Sequence, residues 1–81
     1  SMIDALVGDG DVVILEAIKQ VENGEMVAAW IKSKSEATLK KFYVEGNRVR
    51  LQPANKQLTP IFVDAEDVEI CGRVVGVLRT V

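Results

Sequence analysis

Nucleophilic or acid–base chemistry in this chain has to proceed without histidine, because the sequence contains none. Histidine is the commonest general base and the commonest metal ligand in proteins, so its absence removes both options at once. A zinc site would depend on carboxylates and the single thiol of Cys71, which is a poor ligand set. We therefore expect no metal and no other cofactor, and the base of any such reaction is a lysine, a carboxylate or a terminal amine.

The adjacent lysines Lys40 and Lys41 lie in a segment that we expect to be a β-strand. A lysine acts as a base only when it is neutral, and its ordinary pKa of about 10.4 keeps it charged near pH 7. Burial among apolar groups lowers that pKa. Successive strand side chains point to opposite faces, so Lys40 shares a face with Thr38 and Phe42, whereas Lys41 shares the other with Leu39. One lysine can therefore be buried while its neighbour is solvated, but the pattern does not say which.

Short runs rich in β-branched residues, separated by turn residues, extend along the chain. The predicted strands are residues 12–15, 25–32, 36–43, 48–51, 60–63 and 68–81. The first is apolar enough to be a buried strand, and Pro60 predicts an edge position because proline lacks the ladder N–H. Gly72 and Gly76 predict bulges or bends in the last strand. Only residues 2–7 suggest a helix, and a short one. The sequence thus predicts an all-β or strongly β-dominated domain.

The composition bounds the class of protein. At 81 residues the chain is one small domain or part of one. Hydrophobic residues make up 48% and charged residues 27%, as in soluble globular chains. No apolar run approaches the length of a membrane span, so we expect no membrane association. A net charge of −2 gives no reason to expect nucleic-acid binding by this piece. Cys71 alone excludes an internal disulfide, and its apolar neighbours predict a buried, inert thiol.

The charge is unevenly distributed. Residues 32–56 contain seven basic and two acidic residues, and residues 64–69 contain four acidic residues and no basic one. We interpret the basic segment as a solvated hairpin face with a few cross-strand pairs. The alternative is a docking surface for an acidic partner.

Several segments, in this order, resemble the motifs of the LexA and UmuD peptidase family. The first is Ser1-Met2-Ile3-Asp4, which resembles the second half of the family's Gly-Asp-Ser-Met-x-Asp motif. The second is Asp9-Gly10-Asp11-Val12-Val13, which resembles the family's Asp-Gly-Asp-hydrophobic turn into a strand. The third is Thr38-Leu39-Lys40-Lys41-Phe42, which is similar to the segment that carries the family's catalytic lysine. The fourth is Leu51-Gln52-Pro53-Ala54-Asn55 with Pro60-Ile61, which resembles the family's Leu-x-Pro-x-Asn and Pro-Ile pattern. Residues 72–79 are similar to the family's carboxy-terminal strand. The resemblance covers essentially the whole chain and implies a compact, all-β, mostly antiparallel fold with at most one short helix near the N-terminus.

Carried over by position, the resemblance implies that Ser1 is the nucleophile and Lys40 the general base. Met2 would pack beside the site, with its backbone N–H among the candidate oxyanion donors. Asp9 and Asp11 would shape the turn that supports the site. The implied reaction is hydrolysis of a peptide bond upstream in the protein's own chain, promoted by RecA filaments on single-stranded DNA.

The resemblance also implies an organisation. Residues 1–81 would be a single peptidase and dimerisation domain, truncated at its N-terminus, of a transcriptional repressor in the SOS response. The DNA-binding domain would be absent, so that DNA is contacted only through that missing part. A homodimer is expected through the strand from Arg73 to Val81. The expected location is the cytoplasm, in a bacterial or phage-encoded protein.

Three alternatives stay open. A serine at a true amino terminus can use its own α-amine as the base, as terminal-threonine hydrolases do. The domain can serve mainly as a dimerisation module. The chain can also belong to a UmuD-like accessory subunit of a DNA polymerase or to a phage repressor, and an upstream helix-turn-helix would separate repressors from the UmuD type.

Overall fold

The chain forms one antiparallel β-sheet, seen in a computed structural model that describes residues 10–55 and 57–79. The strands are β1 (Val12–Glu16), β2 (Met26–Ile31), β3 (Glu36–Glu45), β4 (Arg48–Gln52), β5 (Ile61–Asp64) and β6 (Val68–Leu78). Their order across the sheet is β1-β6-β2-β3-β4-β5, and every neighbouring pair is antiparallel. These strands confirm the predicted all-β, mostly antiparallel fold. The predicted short helix at residues 2–7 lies outside the described residues.

The main hydrophobic core covers one face of the sheet, which we call the core face. The strand register places alternate residues of β2, β3 and β4 on this face. Its buried members are Val27, Ala29, Ile31, Phe42, Val49 and Leu51. A smaller cluster around the buried Ala28 and Leu39 lies on the opposite, outer face. The central strands β2 and β3 are therefore covered on both faces where Ala28 and Leu39 lie.

Strand β6 runs without interruption through both glycines that we expected to disturb it, and the predicted bulges lie beside them. Ala28 pairs with Gly72 but Ala29 pairs with Ile70, which leaves Cys71 as an extra residue. Because a bulged residue has no direct partner, Cys71 is exposed, and the expectation of a buried thiol was wrong. A side chain at Gly72 would lie 3.0 Å from the Glu16 carbonyl oxygen, so glycine permits the close approach of β1.

The prediction of a buried first strand was also wrong. Val12 is 53% exposed and Ile14 41% exposed, and only Val13 is partly buried against the outer-face cluster. The reason is position: β1 is an edge strand that pairs with β6 alone among the described residues. The apolar, β-branched residues explain why this segment is a strand, but its position at the edge of the sheet explains why it is exposed.

The connections follow the turn signals of the sequence. Residues 32–35 form the tip between β2 and β3, a 3₁₀ turn over Lys32–Lys34 followed by Ser35 in the left-handed region. Ser33 fastens this tip to the turn before β6, because its N–H and Oγ–H donate to the two carboxylate oxygens of Asp67, at 2.9 and 2.5 Å. Strand β5 lies at the sheet edge, as Pro60 predicted.

Candidate active site

Lys40 is the buried lysine of the adjacent pair. It lies on β3 with only 7% of its surface exposed, whereas Lys41 is exposed. The alternation of the strand explains the difference, because Lys40 faces the core between Thr38 and Phe42, which are 3% and 7% exposed. The two polar residues Thr38 and Lys40 thus lie on the face that holds the main hydrophobic core.

Burial lowers the pKa of Lys40 below the ordinary value for a lysine. The physical cause is desolvation. Leaving water for the core costs the charged ammonium much more hydration free energy than it costs the neutral amine. Removing the proton therefore costs less free energy at Lys40 than at a solvated lysine. A neutral amine has a lone pair, so this position can accept a proton from a hydroxyl.

Strand β2 pairs with Lys40 itself, and strand β4 pairs with β3 from the next residue onward. Val27 on β2, which is fully buried, pairs directly with Lys40. On the other side the β3–β4 register ends at Lys41 and Gln52, and the next residue, Pro53, is buried. The amine is thus attached to a strand paired on both sides, which restricts how far it can move.

Polar contacts secure the start of β2 next to the site. The Gly24 N–H donates to the Phe42 carbonyl at 2.8 Å, and the Phe42 N–H donates to the Glu25 carbonyl at 3.0 Å. Gly24 has a φ of +92°, which is open to glycine but strained for other residues, as expected for an Asn-Gly turn. The Asn23 side chain accepts the Val44 N–H at 2.9 Å.

An ion cluster that the sequence did not reveal lies one strand beyond Val27. Arg73 on β6 pairs with Val27 and donates to Glu25 at 3.1 Å and to Glu16 on β1. Hydrogen bonds to Glu16 and then Glu25 raise the pKa of Arg73. The Glu22 N–H, followed by Arg73, lowers the pKa of Glu25. The Arg73 Nε is buried and has no hydrogen-bond partner in the described part of the chain.

Of the three site residues expected from the resemblance, the structure describes Lys40. Ser1 and Met2 lie outside the described residues, as does Asp9. Asp11 is described: it immediately precedes β1, and its carboxylate lies 3.7 Å from the Arg79 guanidinium. Among residues 10–55 and 57–79 we find no group of three residues that could hold a metal ion. No helix in that part of the chain is both long and apolar enough to span a bilayer.

Comparison with known proteins identifies the family. Residues 1–75 match the family described as peptidase S24-like. The LexA repressor of Roseiflexus sp. (strain RS-1) is 56% identical over 80 residues, which are 99% of this chain and 37% of that protein. The LexA repressor of Herpetosiphon aurantiacus is 54% identical over 79 residues, 98% of this chain and 37% of that protein.

A less similar LexA repressor also matches over the whole chain. The LexA repressor of Thermotoga neapolitana is 44% identical over 81 residues, which are all of this chain and 40% of that protein. The chain thus spans less than half the length of the curated relatives it matches. These matches confirm the resemblance read from the motifs, and with residues 1–75 matched to its model the chain belongs to the peptidase S24-like family.

Proposed function

We propose that this chain is the self-cleaving serine peptidase and dimerisation part of a LexA-type transcriptional repressor. The observation that carries the proposal is the burial of Lys40 beside an exposed Lys41, since a lysine serves as a general base only when it is held neutral. The family match supports peptidase chemistry, and the absence of histidine leaves lysine as a fitting base.

In the proposed mechanism, the Lys40 amine removes the proton of the Ser1 hydroxyl as its oxygen attacks a peptide carbonyl. The attack forms a tetrahedral oxyanion, which the Met2 N–H helps to stabilise. The protonated Lys40 then gives its proton to the leaving amine, and an acyl ester on Ser1 remains. Water, deprotonated by Lys40, hydrolyses that ester and restores the site. The rate should rise with pH, because the neutral fraction of Lys40 rises.

The substrate in this proposal is a peptide bond in the protein's own chain, upstream of Ser1. Cleavage would separate this part from the DNA-binding part and end repression in the SOS response. A RecA filament on single-stranded DNA would promote the reaction by favouring the cleavable conformation. The relatives named above are LexA repressors, which favours a cytoplasmic repressor over a polymerase accessory subunit.

Dimerisation is a second candidate function, and one observation favours it. Among the described residues, strand β6 pairs with β2 only from Val68 to Arg73, so residues 74–78 have no strand partner on that side within this part of the chain. Val75 and Leu78 in this stretch are 54% and 58% exposed. A strand edge without a partner, with exposed apolar side chains beside it, can pair with its copy around a twofold axis. This is the stretch, from Arg73 to Val81, in which we place the homodimer contact.

A chimera tests the proposed chemistry. The chain would replace the matching segment of the Roseiflexus LexA repressor, and self-cleavage would be followed by gel electrophoresis from neutral to alkaline pH, with and without a RecA filament. We expect cleavage that increases with pH and falls by about 10²–10⁴-fold in Ser1→Ala and Lys40→Ala.

Lys41→Ala is the matched control, since it removes the neighbouring but exposed amine. Cleavage that persists in Lys40→Ala would place the base elsewhere. If the unmodified Roseiflexus protein cleaves and the chimera does not cleave at any pH, the dimerisation role stands and the peptidase role fails.

A further inference from the structure

Glu25 lies diagonally across from Lys40 on the core face of the sheet. Gly24 and Glu25 together oppose Phe42, because the Gly24 N–H donates to the Phe42 carbonyl and the Phe42 N–H donates to the Glu25 carbonyl. Glu25 is two residues before Val27, which pairs with Lys40, so the side chains of Glu25 and Lys40 start on the same face. Diagonal neighbours of this kind have Cβ atoms roughly 7–8 Å apart, and long side chains in such positions can touch.

The carboxylate of Glu25 is bound by other groups. Its Oε1 accepts the Glu22 N–H at 2.9 Å, and its Oε2 accepts Nη1 of Arg73 at 3.1 Å. The Glu25 side chain is only 20% exposed. A carboxylate with so little contact with water needs a cation or hydrogen-bond donors, because leaving it unpaired would cost free energy. Within the described residues, Arg73 is the cation that pairs with it.

Arg73 lies in the same cross-strand row as Lys40. It pairs with Val27 on β2, and Val27 pairs with Lys40 on β3, so all three side chains lie on the core face. On its other side Arg73 pairs with Glu16 of β1, and its guanidinium donates to that carboxylate as well. One guanidinium therefore holds two carboxylates that share a face with Lys40.

Few other charges lie near Lys40 on this face. The core-face residues that β2 and β4 contribute are apolar, and the neighbours of Lys40 on its own strand face are Thr38 and Phe42. Glu36 is on the same face but four residues away along β3, which is roughly 13 Å. In the described part of the chain, the charge of Lys40 thus depends on its burial and on what the Glu25 carboxylate binds.

We propose that Arg73 is a positioning residue that holds the Glu25 carboxylate away from Lys40 and so prevents an ion pair that would keep Lys40 protonated. Without Arg73, the covered carboxylate keeps one N–H donor and loses its cation, and the Lys40 amine lies within reach to replace it. A pair between Glu25 and Lys40 would favour the ammonium, which cannot accept a proton from a hydroxyl. As a role in cleavage this inference rests on the proposed function, but as an effect on the charge of Lys40 it can be measured alone.

The test measures the pKa of Lys40 by NMR titration of its Cε carbon in the 81-residue chain, and the pH dependence of self-cleavage in the chimera with the Roseiflexus LexA repressor. Arg73→Gln should raise the pKa of Lys40, move the rate profile to higher pH and lower the cleavage rate at neutral pH by about threefold or more. The double variant Arg73→Gln/Glu25→Gln should restore both, because the carboxylate is gone. Arg73→Lys keeps a cation at this position and should behave nearly as the parent does.

Arg50→Gln is the matched control, because it removes an arginine that holds a glutamate, Glu45, on the outer face. It should leave the pKa of Lys40 and the rate profile unchanged. Circular dichroism checks that each variant is folded. Arg73→Met keeps a long unbranched side chain without the charge, so it repeats the test if Arg73→Gln does not fold.

Three results would overturn the inference. One is an unchanged pKa of Lys40 in a folded variant that lacks the Arg73 charge. Another is a raised pKa that persists in the double variant, which would mean that the loss of Arg73 acts without Glu25. The third is an equal rise in Arg50→Gln, which would mean that net charge alone is responsible. If the pKa of Lys40 rises and is restored as expected while the parent chimera does not cleave, the proposed function fails and the role of Arg73 is supported.

Discussion

Replacing Val27 with alanine tests whether close packing sets the protonation state of Lys40. Val27 is fully buried and pairs directly with Lys40. The change removes two methyl groups, each worth about 0.8 kcal/mol when buried, and leaves a cavity, so the free energy of unfolding should fall by about 2–3 kcal/mol. A domain of this length has about 4–12 kcal/mol in total, so the variant should stay folded. Looser packing lets water approach the amine, and the pKa of Lys40 should rise toward its ordinary value.

Guanidinium unfolding would measure the stability, and NMR titration of the Lys40 Cε carbon would measure the pKa. Val49→Ala is the matched control, because Val49 is 2% exposed in the same core cluster but pairs with Val44 and Val63. It should cost a similar free energy and leave the pKa of Lys40 unchanged. If Val27→Ala lowers the stability while the pKa of Lys40 stays where it was, packing against β2 is not what depresses that pKa.

Three further predictions concern the surroundings of the site. Asp67→Asn weakens the bonds to Ser33 and should lower the free energy of unfolding by about 1 kcal/mol in chemical denaturation; an unchanged midpoint would show that this fastening is dispensable. Glu25 has a lowered pKa, so its contribution to stability is present above the ordinary carboxyl pKa and is lost as the pH falls through the pKa of the folded state. Glu25→Gln should therefore reduce the loss of unfolding free energy at acid pH, measured by unfolding at a series of pH values. The same pH dependence in the variant and the parent would contradict this prediction. Gly72→Ala should cost about 1–3 kcal/mol because its Cβ meets Glu16 and Leu15 at 3.0 Å, whereas Gly76→Ala, at 3.6 Å from its nearest neighbour, should cost much less; equal thermal melting of the two variants would refute this reading of the β1–β6 contact.

The strands were largely predictable because their determinants are local. Turn residues and β-branched runs alternate along the chain, and the predicted strands match β1 to β6 to within a few residues. Pro60 indicated an edge-like strand, because proline is found at the start or the edge of a strand, and β5 begins directly after Pro60 and lies at the sheet edge. The bulges beside Gly72 and Gly76 were predictable for a similar reason, since glycine weakens a strand at that point.

Burial was less predictable, because it depends on which strands become neighbours. An apolar strand such as β1 reads as core, yet its edge position leaves Val12 exposed. Cys71 has apolar neighbours in sequence, yet the offset between β6 and β2 makes it the bulged, exposed residue. Arg73, Glu25 and Glu16 come from three distant segments, and only the pairing of β1, β6 and β2 brings them together.

The sequence by itself determined the alternation of β3, the absence of histidine and the motifs that indicated a LexA-like peptidase family, because each of these is a property of residue types and their order. It left two equivalent lysines, since period-two alternation assigns Lys40 and Lys41 to opposite faces without saying which face is covered. The tertiary structure decided that, because β2 and β4 bring Val27 and Leu51 beside Phe42 on one face and so remove water from Lys40 but not from Lys41.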